Sequence, residues 1–137
     1  VIDRQRLGLE LTTDFVVRRL DNEYVLVEIE KPRDSIFTLK NDFTAEFTHA
    51  FGQVIGFQAW VDDHAEYARH LMPGISCPRG VLVIGRRKDL TAQQAAKLRH
   101  YCLNSQSVSI LTYDDLVERA RTLYANIYIR DYQSAIS

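Results

Sequence analysis

One apolar segment, EYVLVEIEKP at residues 23–32, limits most strongly what this chain can form. Its hydrophobic residues predict a β-strand that ends at Pro32, because proline has no amide hydrogen for a strand ladder. Side chains on a strand alternate between its two faces, so Glu28 and Glu30 share one face while Lys31 lies on the other. Neighbouring carboxylates repel each other and are costly to desolvate. They therefore form either a solvated edge or half of a metal site.

The composition fits one folded domain over residues 1–137. The chain is 46% hydrophobic and 26% charged, which suffices for a core. Its formal net charge of −1 gives no general basic character, so nucleic-acid binding would need a local patch. Cys77 and Cys102 lack the spacing of metal ligands and predict reduced thiols in a cytoplasmic protein. No apolar run approaches the roughly 18 residues of a membrane span, so no membrane association is expected.

The predicted elements follow the order β-β-β-α-β-α-β-α. Strands are predicted at residues 6–11, 13–20, 24–31, 80–86 and 107–112, and helices at about 44–71, 91–103 and 113–127. Thr91 with Gln94 forms a capping box for the second helix, and Thr112 caps the third. Hairpin-connected strands followed by α/β crossovers favour an α/β fold with a mixed sheet and helices on both faces.

The hairpin between the second and third strands decides whether Asp14 joins the two glutamates. A two-residue loop would set Asp14 opposite Ile29, on the wrong face. A three-residue loop at residues 21–23 would set Asp14 opposite Glu30, with Glu28 beside it. We therefore expect an odd loop or a bulge here. Its central residue is Asn22, a type that tolerates the left-handed conformation such loops need.

Three carboxylates without a lysine on their face need a counter-charge. Mg²⁺ is suited to this role because it is a hard cation that prefers oxygen ligands. The competing interpretation is an exposed sheet face with ordinary surface acids. On the first helix, Glu46, His49, Gln53 and Trp60 share a stripe beside the apolar face. That stripe either carries Glu46 and Gln53 to the carboxylates or forms a solvated flank.

Several segments together resemble a known family. Asp14, a hairpin and then Glu28-Ile29-Glu30 before a helix are similar to the core of PD-(D/E)xK nucleases. Over residues 7–123 the chain resembles the Shedu-type nuclease domain, in the segments DFVVRRLDNEYVLVEIEKP, DFTAEFTHAFGQVIGFQAWV, PRGVLVIGRR, LTAQQAAKLR and VSILTYDDLVERAR. The resemblance implies a restriction-endonuclease-like α/β core, with a mixed central sheet flanked by helices. It also implies a metal-dependent DNA endonuclease domain of bacterial anti-phage defence, the C-terminal piece of a longer protein that forms homo-oligomers.

The resemblance assigns roles to residues of this chain. Asp14 and Glu28 match the family's acidic ligands for Mg²⁺ or Mn²⁺, and the Ile29 carbonyl is a further candidate ligand. The third motif position normally holds lysine, but here it holds Glu30. We expect Glu30 to bind a second metal ion or to take a proton from the attacking water. Lys31, one residue further on, would reach the site only through a bulge.

The same resemblance matches Gln53 to a helix glutamine that orients water or a phosphate oxygen. DNA binding also needs cations around an acidic site. The candidates are Arg18, Arg33, Lys40, Arg86, Arg87 and Lys88, each of which has the alternative interpretation of a solvated surface charge. A degenerate domain of the same fold, which binds nucleic acid or assembles a complex without cleaving, is the alternative function.

Overall fold

The computed structural model describes the backbone of residues 2–3, 6–7 and 11–136 and the side chains of residues 12–127. In chain order the elements are β1 (Ile2–Asp3), β2 (Arg6–Leu7), β3 (Leu11–Thr12), β4 (Phe15–Arg18), β5 (Tyr24–Ile29), α1 (Ala45–Asp63), α2 (Ala65–Leu71), β6 (Arg79–Val83), α3 (Ala92–Asn104), β7 (Val108–Leu111) and α4 (Tyr113–Ile136). A short 3₁₀ helix at Arg87–Asp89 follows β6.

The main sheet has five strands in the order β1-β4-β5-β6-β7. The pairs β1–β4 and β4–β5 are antiparallel, whereas β5–β6 and β6–β7 are parallel, so the predicted mixed sheet is confirmed. The strand predicted at residues 6–11 is wrong as a single element. Instead, β2 and β3 pair with each other as a separate two-stranded sheet, and residues 8–10 lie outside the described residues.

The core lies between the sheet and α1. Alternation places Tyr24, Leu26 and Glu28 on one face of β5, and all three are buried. One apolar cluster joins β4 and β5 to α1 and α2 through Val16, Tyr24, Leu26, Phe57, Val61, Ala68 and Met72. A second joins α1 to β6, α3 and β7 through Phe47, Ala50, Leu82, Leu98 and Ile110. Glu28 is thus a carboxylate on the face that forms the core.

The helices begin close to where the sequence predicts. Thr44 caps α1, Thr91 and Gln94 form the expected capping box at α3, and Thr112 exchanges hydrogen bonds with Asp115 at α4. The single helix predicted at about 44–71 is interrupted at His64, which has φ −123° and ψ 41°. The bend turns α2 back, so that Ala68 packs into the first cluster. In the part of the chain that the model covers, no helix is both long and apolar enough to cross a membrane.

The β4–β5 hairpin closes through a three-residue loop, Leu20 to Asn22. The Arg19 amide donates to the Glu23 carbonyl at 2.8 Å, and the Asn22 amide donates to the Arg19 carbonyl at 3.0 Å. Asn22 has φ +66°, the left-handed conformation expected of it. The predicted odd loop is therefore confirmed, but it starts one residue earlier than predicted. Arg19 forms ion pairs with Asp21 and Glu23 across this loop, which favours the observed closure.

We predict that Gly80→Ala lowers the free energy of unfolding by about 1–3 kcal/mol through overpacking. A Cβ atom at Gly80 would lie 2.2 Å from Val54 Cγ1 and 3.2 Å from Val108 Cγ2, beneath α1. Shortening the Val54 side chain removes the obstacle. The double variant, Gly80→Ala with Val54→Ala, should therefore lose less free energy of unfolding than the sum of the losses in the two single variants. Urea denaturation measures all three values.

Gly52→Ala is the matched control, because Gly52 lies on α1 with nothing within 4 Å of an added Cβ. It should stabilise the domain by about 0.5–1 kcal/mol, since alanine is the better helix former. Equal responses to the two glycine substitutions would contradict the close approach of α1 to β6.

Candidate active site

The carboxylates of Asp14 and Glu28 each accept a hydrogen bond from a main-chain amide of the opposite segment. The register Phe15–Val27, extended by one residue, sets Asp14 directly opposite Glu28. The Asp14 amide donates to Glu28 Oε2 at 3.3 Å, and the Ile29 amide donates to Asp14 Oδ2 at 2.9 Å. The expected shared face for these two carboxylates is therefore found. Their pairing corrects the prediction that Asp14 would lie opposite Glu30, because the loop closes one residue earlier.

The Glu28 carboxylate lies in an environment that disfavours its charge. Its residue is 7% exposed. The pKa of Glu28 is raised to about 7, first by burial and then by the charge of Asp14, while the hydrogen bond from the Asp14 amide opposes the rise. Near neutral pH this carboxyl therefore holds a proton for much of the time. A cation placed beside the pair would displace that proton.

Glu30 lies beyond the last residue pair of the β4–β5 ladder. Its amide donates to the Val83 carbonyl at 2.8 Å, so it still follows β6. The pKa of Glu30 is raised by burial first and then by the charges of Asp34 and Asp14, whereas His49 and Lys31 lower it. Glu30 is thus an electrostatic neighbour of Asp14. The side chain of Lys31 is exposed.

The three predicted metal ligands do not form one ready ligand set. Among the side chains of residues 12–127, no three Asp, Glu, His or Cys residues are arranged to hold a metal ion together. The physical reason is the register: Glu28 occupies the position opposite Asp14 that was expected for Glu30. Asp14 and Glu28 form the pair at the centre of the site, and Glu30 lies at its margin.

Two members of the α1 stripe lie near β5 or the residue that follows it. His49 acts on the charge of Glu30, and Trp60, three turns later, packs against the cluster that contains Leu26. Gln53 lies between them on the same stripe and is half-buried. No hydrogen bond joins Gln53 to the carboxylates within the described side chains, and Glu46 is exposed. The role of Gln53 therefore stays a prediction.

Sequence reasoning missed two residues at the site, Asp34 and Tyr113. The Lys31 amide donates to Asp34 Oδ2 at 3.2 Å, and the Asp34 amide donates to the Lys31 carbonyl at 3.1 Å, which closes a turn. The Tyr113 hydroxyl donates to the Glu30 carbonyl at 2.6 Å. Pro32 marks the turn in the sequence and could have pointed to Asp34. Tyr113 is 83 residues from Glu30, and no spacing rule connects them.

Two of the predicted DNA-binding cations are already paired with acids of α4. Arg86 donates to both carboxylate oxygens of Asp114, each at 3.1 Å. Arg87 contacts Asp115 and lies 3.9 Å from Glu118. The hydrogen bond from Arg86 and one from the Arg87 amide lower the pKa of Asp114 to about 2. These two arginines thus anchor the first turn of α4.

The other predicted cations are exposed. Arg18 donates to Asn22 Oδ1 at 2.9 Å, at the hairpin end of β4. It is four residues from Asp14, a separation of about 13 Å along a strand. Arg33 follows the end of β5, Lys40 lies in the loop before α1, and Lys88 lies in the 3₁₀ helix. Contact between these cations and DNA stays a prediction.

Comparison with known protein families identifies a match over most of the chain. A family model described as Shedu protein SduA, C-terminal, matches residues 1–117. The match includes β1 to β7, α1 to α3 and both members of the Asp14–Glu28 pair. No curated protein matches the chain.

We predict that Glu28 makes the domain less stable as the pH rises, when divalent cations are removed with a chelator. The folded carboxyl has a pKa of about 7, against 4.5 for an unperturbed glutamate. Below pH 4.5 both states are protonated and there is no penalty. The loss in free energy of unfolding grows between pH 4.5 and pH 7. It is complete above pH 7, at about 3 kcal/mol. Glu28→Gln removes it and should be more stable than the natural protein at pH 8.

The measurement is the difference in unfolding free energy between Glu28→Gln and the natural protein, by urea denaturation from pH 4 to pH 8. The other titratable groups are the same in both proteins, so their contributions to the pH dependence cancel in this difference. Glu66→Gln, an exposed glutamate on α2, is the control and should show a flat difference. A flat difference for Glu28→Gln as well would contradict the burial of an ionisable Glu28.

Proposed function

Because the chain belongs to the family of the Shedu protein SduA C-terminal domain, we propose that it is a metal-dependent DNA endonuclease domain of anti-phage defence. In this proposal it hydrolyses phosphodiester bonds on a core of the PD-(D/E)xK type. The observation that carries the proposal is the Asp14–Glu28 pair, two carboxylates held side by side by backbone amides at the margin of the core.

The donor chemistry of this pair fits Mg²⁺ or Mn²⁺. Such a cation binds oxygen ligands and commonly takes only one or two carboxylates, with waters and substrate phosphates completing its shell. The carboxyl of Glu28 is buried next to a like charge, so it lacks the compensation that a cation would provide. When bound, the cation stabilises negative charge on the phosphate and lowers the pKa of a water molecule.

The other roles in the proposed reaction belong to residues of the chain. Asp14 and Glu28 hold the cation, and the Ile29 carbonyl is a further candidate ligand. Glu30 accepts a proton from the attacking water. Burial and the nearby Asp34 raise its pKa, which brings it closer to neutrality and makes it a better general base. Gln53, on the α1 stripe, orients water or a phosphate oxygen.

DNA approaches through cations outside the acidic pair. Four of the six candidates are exposed and carry no ion pair among the described side chains, so their charge is available to phosphate groups: Arg18, Arg33, Lys40 and Lys88. Arg86 and Arg87 would have to exchange an α4 carboxylate for a phosphate. Further copies of the chain are the other proposed partner, joined through this domain or through other parts of the natural protein.

A second candidate function has specific support. Glu30 stands where related nucleases carry lysine, the described side chains contain no group of three metal ligands, and Arg86 and Arg87 are paired with acids. In this alternative the domain assembles a complex, or binds DNA through its other cations, without cutting. It would retain DNA in a binding assay with and without divalent cations.

Plasmid nicking by the protein at its full natural length, with Mg²⁺ or Mn²⁺, distinguishes the two functions. We predict that Asp14→Asn and Glu28→Gln each lower the nicking rate by about 100-fold or more, because each removes a metal ligand. The matched controls are Asp62→Asn and Glu66→Gln, exposed acids on α1 and α2. The absence of nicking by the natural protein, with DNA binding intact, would replace the nuclease with the binding domain.

We predict that Glu30→Lys raises the melting temperature of the metal-free protein and reduces the further rise caused by Mn²⁺. The lysine replaces a carboxylate near Asp14 and Asp34 with a cation, which relieves repulsion. A built-in positive charge then competes with the metal ion. Differential scanning fluorimetry measures both shifts. If neither shift changes, Glu30 is not part of the site and Lys31 becomes the candidate for the third position.

A further inference from the structure

The peptide that joins Glu30 to Lys31 is held at both of its polar atoms. Its carbonyl oxygen, from Glu30, accepts the Tyr113 hydroxyl at 2.6 Å. Its N–H group, from Lys31, donates to Asp34 Oδ2 at 3.2 Å. A peptide unit is planar, so two bonds at opposite edges fix the orientation of the whole plane.

The course of the main chain at this peptide determines where two side chains point. Turning Lys31 inward would change that course at both residues, and the change would break at least one of the two hydrogen bonds. Glu30 and Lys31 are the two contenders for the third motif position. A bulge at this point would turn Lys31 inward, whereas the observed plane leaves the Lys31 side chain exposed.

Tyr113 is itself firmly placed. Its amide donates to the Gly85 carbonyl at 3.0 Å, just after β6. Thr112 and Asp115 cap the helix reciprocally, and Arg86 holds Asp114 with two hydrogen bonds. The first turn of α4 is therefore anchored where β5, β6 and β7 end. From this anchored turn, the Tyr113 hydroxyl contacts the Glu30 carbonyl, just beyond the end of β5.

We propose that Tyr113 is a positioning residue of the candidate site: by fixing the Glu30–Lys31 peptide, it presents Glu30 and keeps Lys31 out. This inference rests on the proposed function, because it concerns the third position of the motif. The sequence alone places Tyr113 only in the first turn of a helix far from the carboxylates.

The charges around the phenol support this role. The pKa of Tyr113 is raised by burial first and then by the charges of Glu30, Asp34 and Asp14. The same carboxylates mark Tyr113 as a neighbour of the site.

Cysteine labelling tests the positioning without any reference to nuclease activity. Lys31→Cys is reacted with a maleimide in the full natural protein, and labelling is followed by peptide-resolved mass spectrometry, which separates position 31 from Cys77 and Cys102. Adding Tyr113→Phe frees the peptide, and labelling at position 31 should slow about threefold or more as the side chain samples the inward orientation. An unchanged or faster rate overturns the proposal.

Tyr24→Phe is a closely matched control. The Tyr24 hydroxyl also donates to a main-chain carbonyl, that of Pro73 at 2.8 Å, but at the other end of β5. This variant loses a comparable hydrogen bond and should leave the labelling rate at position 31 unchanged. If Tyr24→Phe slows labelling as much as Tyr113→Phe does, the effect is general loosening of the fold and the positioning role fails.

Kinetics provide the second readout. Tyr113→Phe should lower the kcat for plasmid nicking about tenfold, the effect of one lost hydrogen bond, with KM for DNA unchanged. Combined with Glu30→Gln it should add little to the loss from Glu30→Gln alone, whereas independent effects would multiply and contradict the proposal. If the natural protein does not nick DNA, the proposed function fails, and the labelling experiment still decides the role of Tyr113.

Discussion

The pairing of Asp14 with the backbone of β5 is the interaction on which the rest of the site depends. It closes the open end of the β4–β5 hairpin with a side chain, one pair beyond the last regular strand pair, Phe15–Val27. The other end of the hairpin is closed by Arg19 and Glu23. Between the two ends the register cannot slip by one residue without moving Val16 and Leu26 out of the core. The core of the domain thereby holds the two carboxylates together.

This arrangement is costly in stability. Glu28 shares its sheet face with Leu26 and, across the parallel pair, with Leu82, both of which are fully buried. A penalty of about 3 kcal/mol is a large part of the 5–15 kcal/mol that stabilises a typical domain. A hydrophobic residue at this position would avoid the penalty, so selection for packing alone does not account for a glutamate. In the proposed function, a bound cation would offset the penalty by mass action and would couple metal binding to folding.

The carboxyl ends of β5, β6 and β7 connect the carboxylates to α4. Tyr113 links the start of α4 to β5, and the acids of its first turn are paired with Arg86 and Arg87. Further along, Leu116, Val117, Leu123 and Ile127 are exposed. The hydrogen bonds and ion pairs of its first turn anchor the helix at the end that touches the site. Arg86 and Arg87 of the basic run RRK, which suggests a DNA-binding patch in the sequence, form part of this anchor.

The sequence by itself determined the features that depend on local geometry. Strand alternation placed Asp14 and Glu28 on one face once the loop was odd, and the capping residues marked where α3 and α4 begin. Strand alternation alone could not distinguish a hairpin loop at residues 20–22 from one at residues 21–23. Both loops have three residues and keep the same side chains on each face, and they differ only in which residues pair across the two strands. The folded hairpin closes at residues 20–22, where the Arg19 amide donates to the Glu23 carbonyl, and this closure sets the partner of Asp14. The break at His64 and the bond from Tyr113 to Glu30 likewise arise only in the folded chain, since they depend on packing between segments that are distant in sequence.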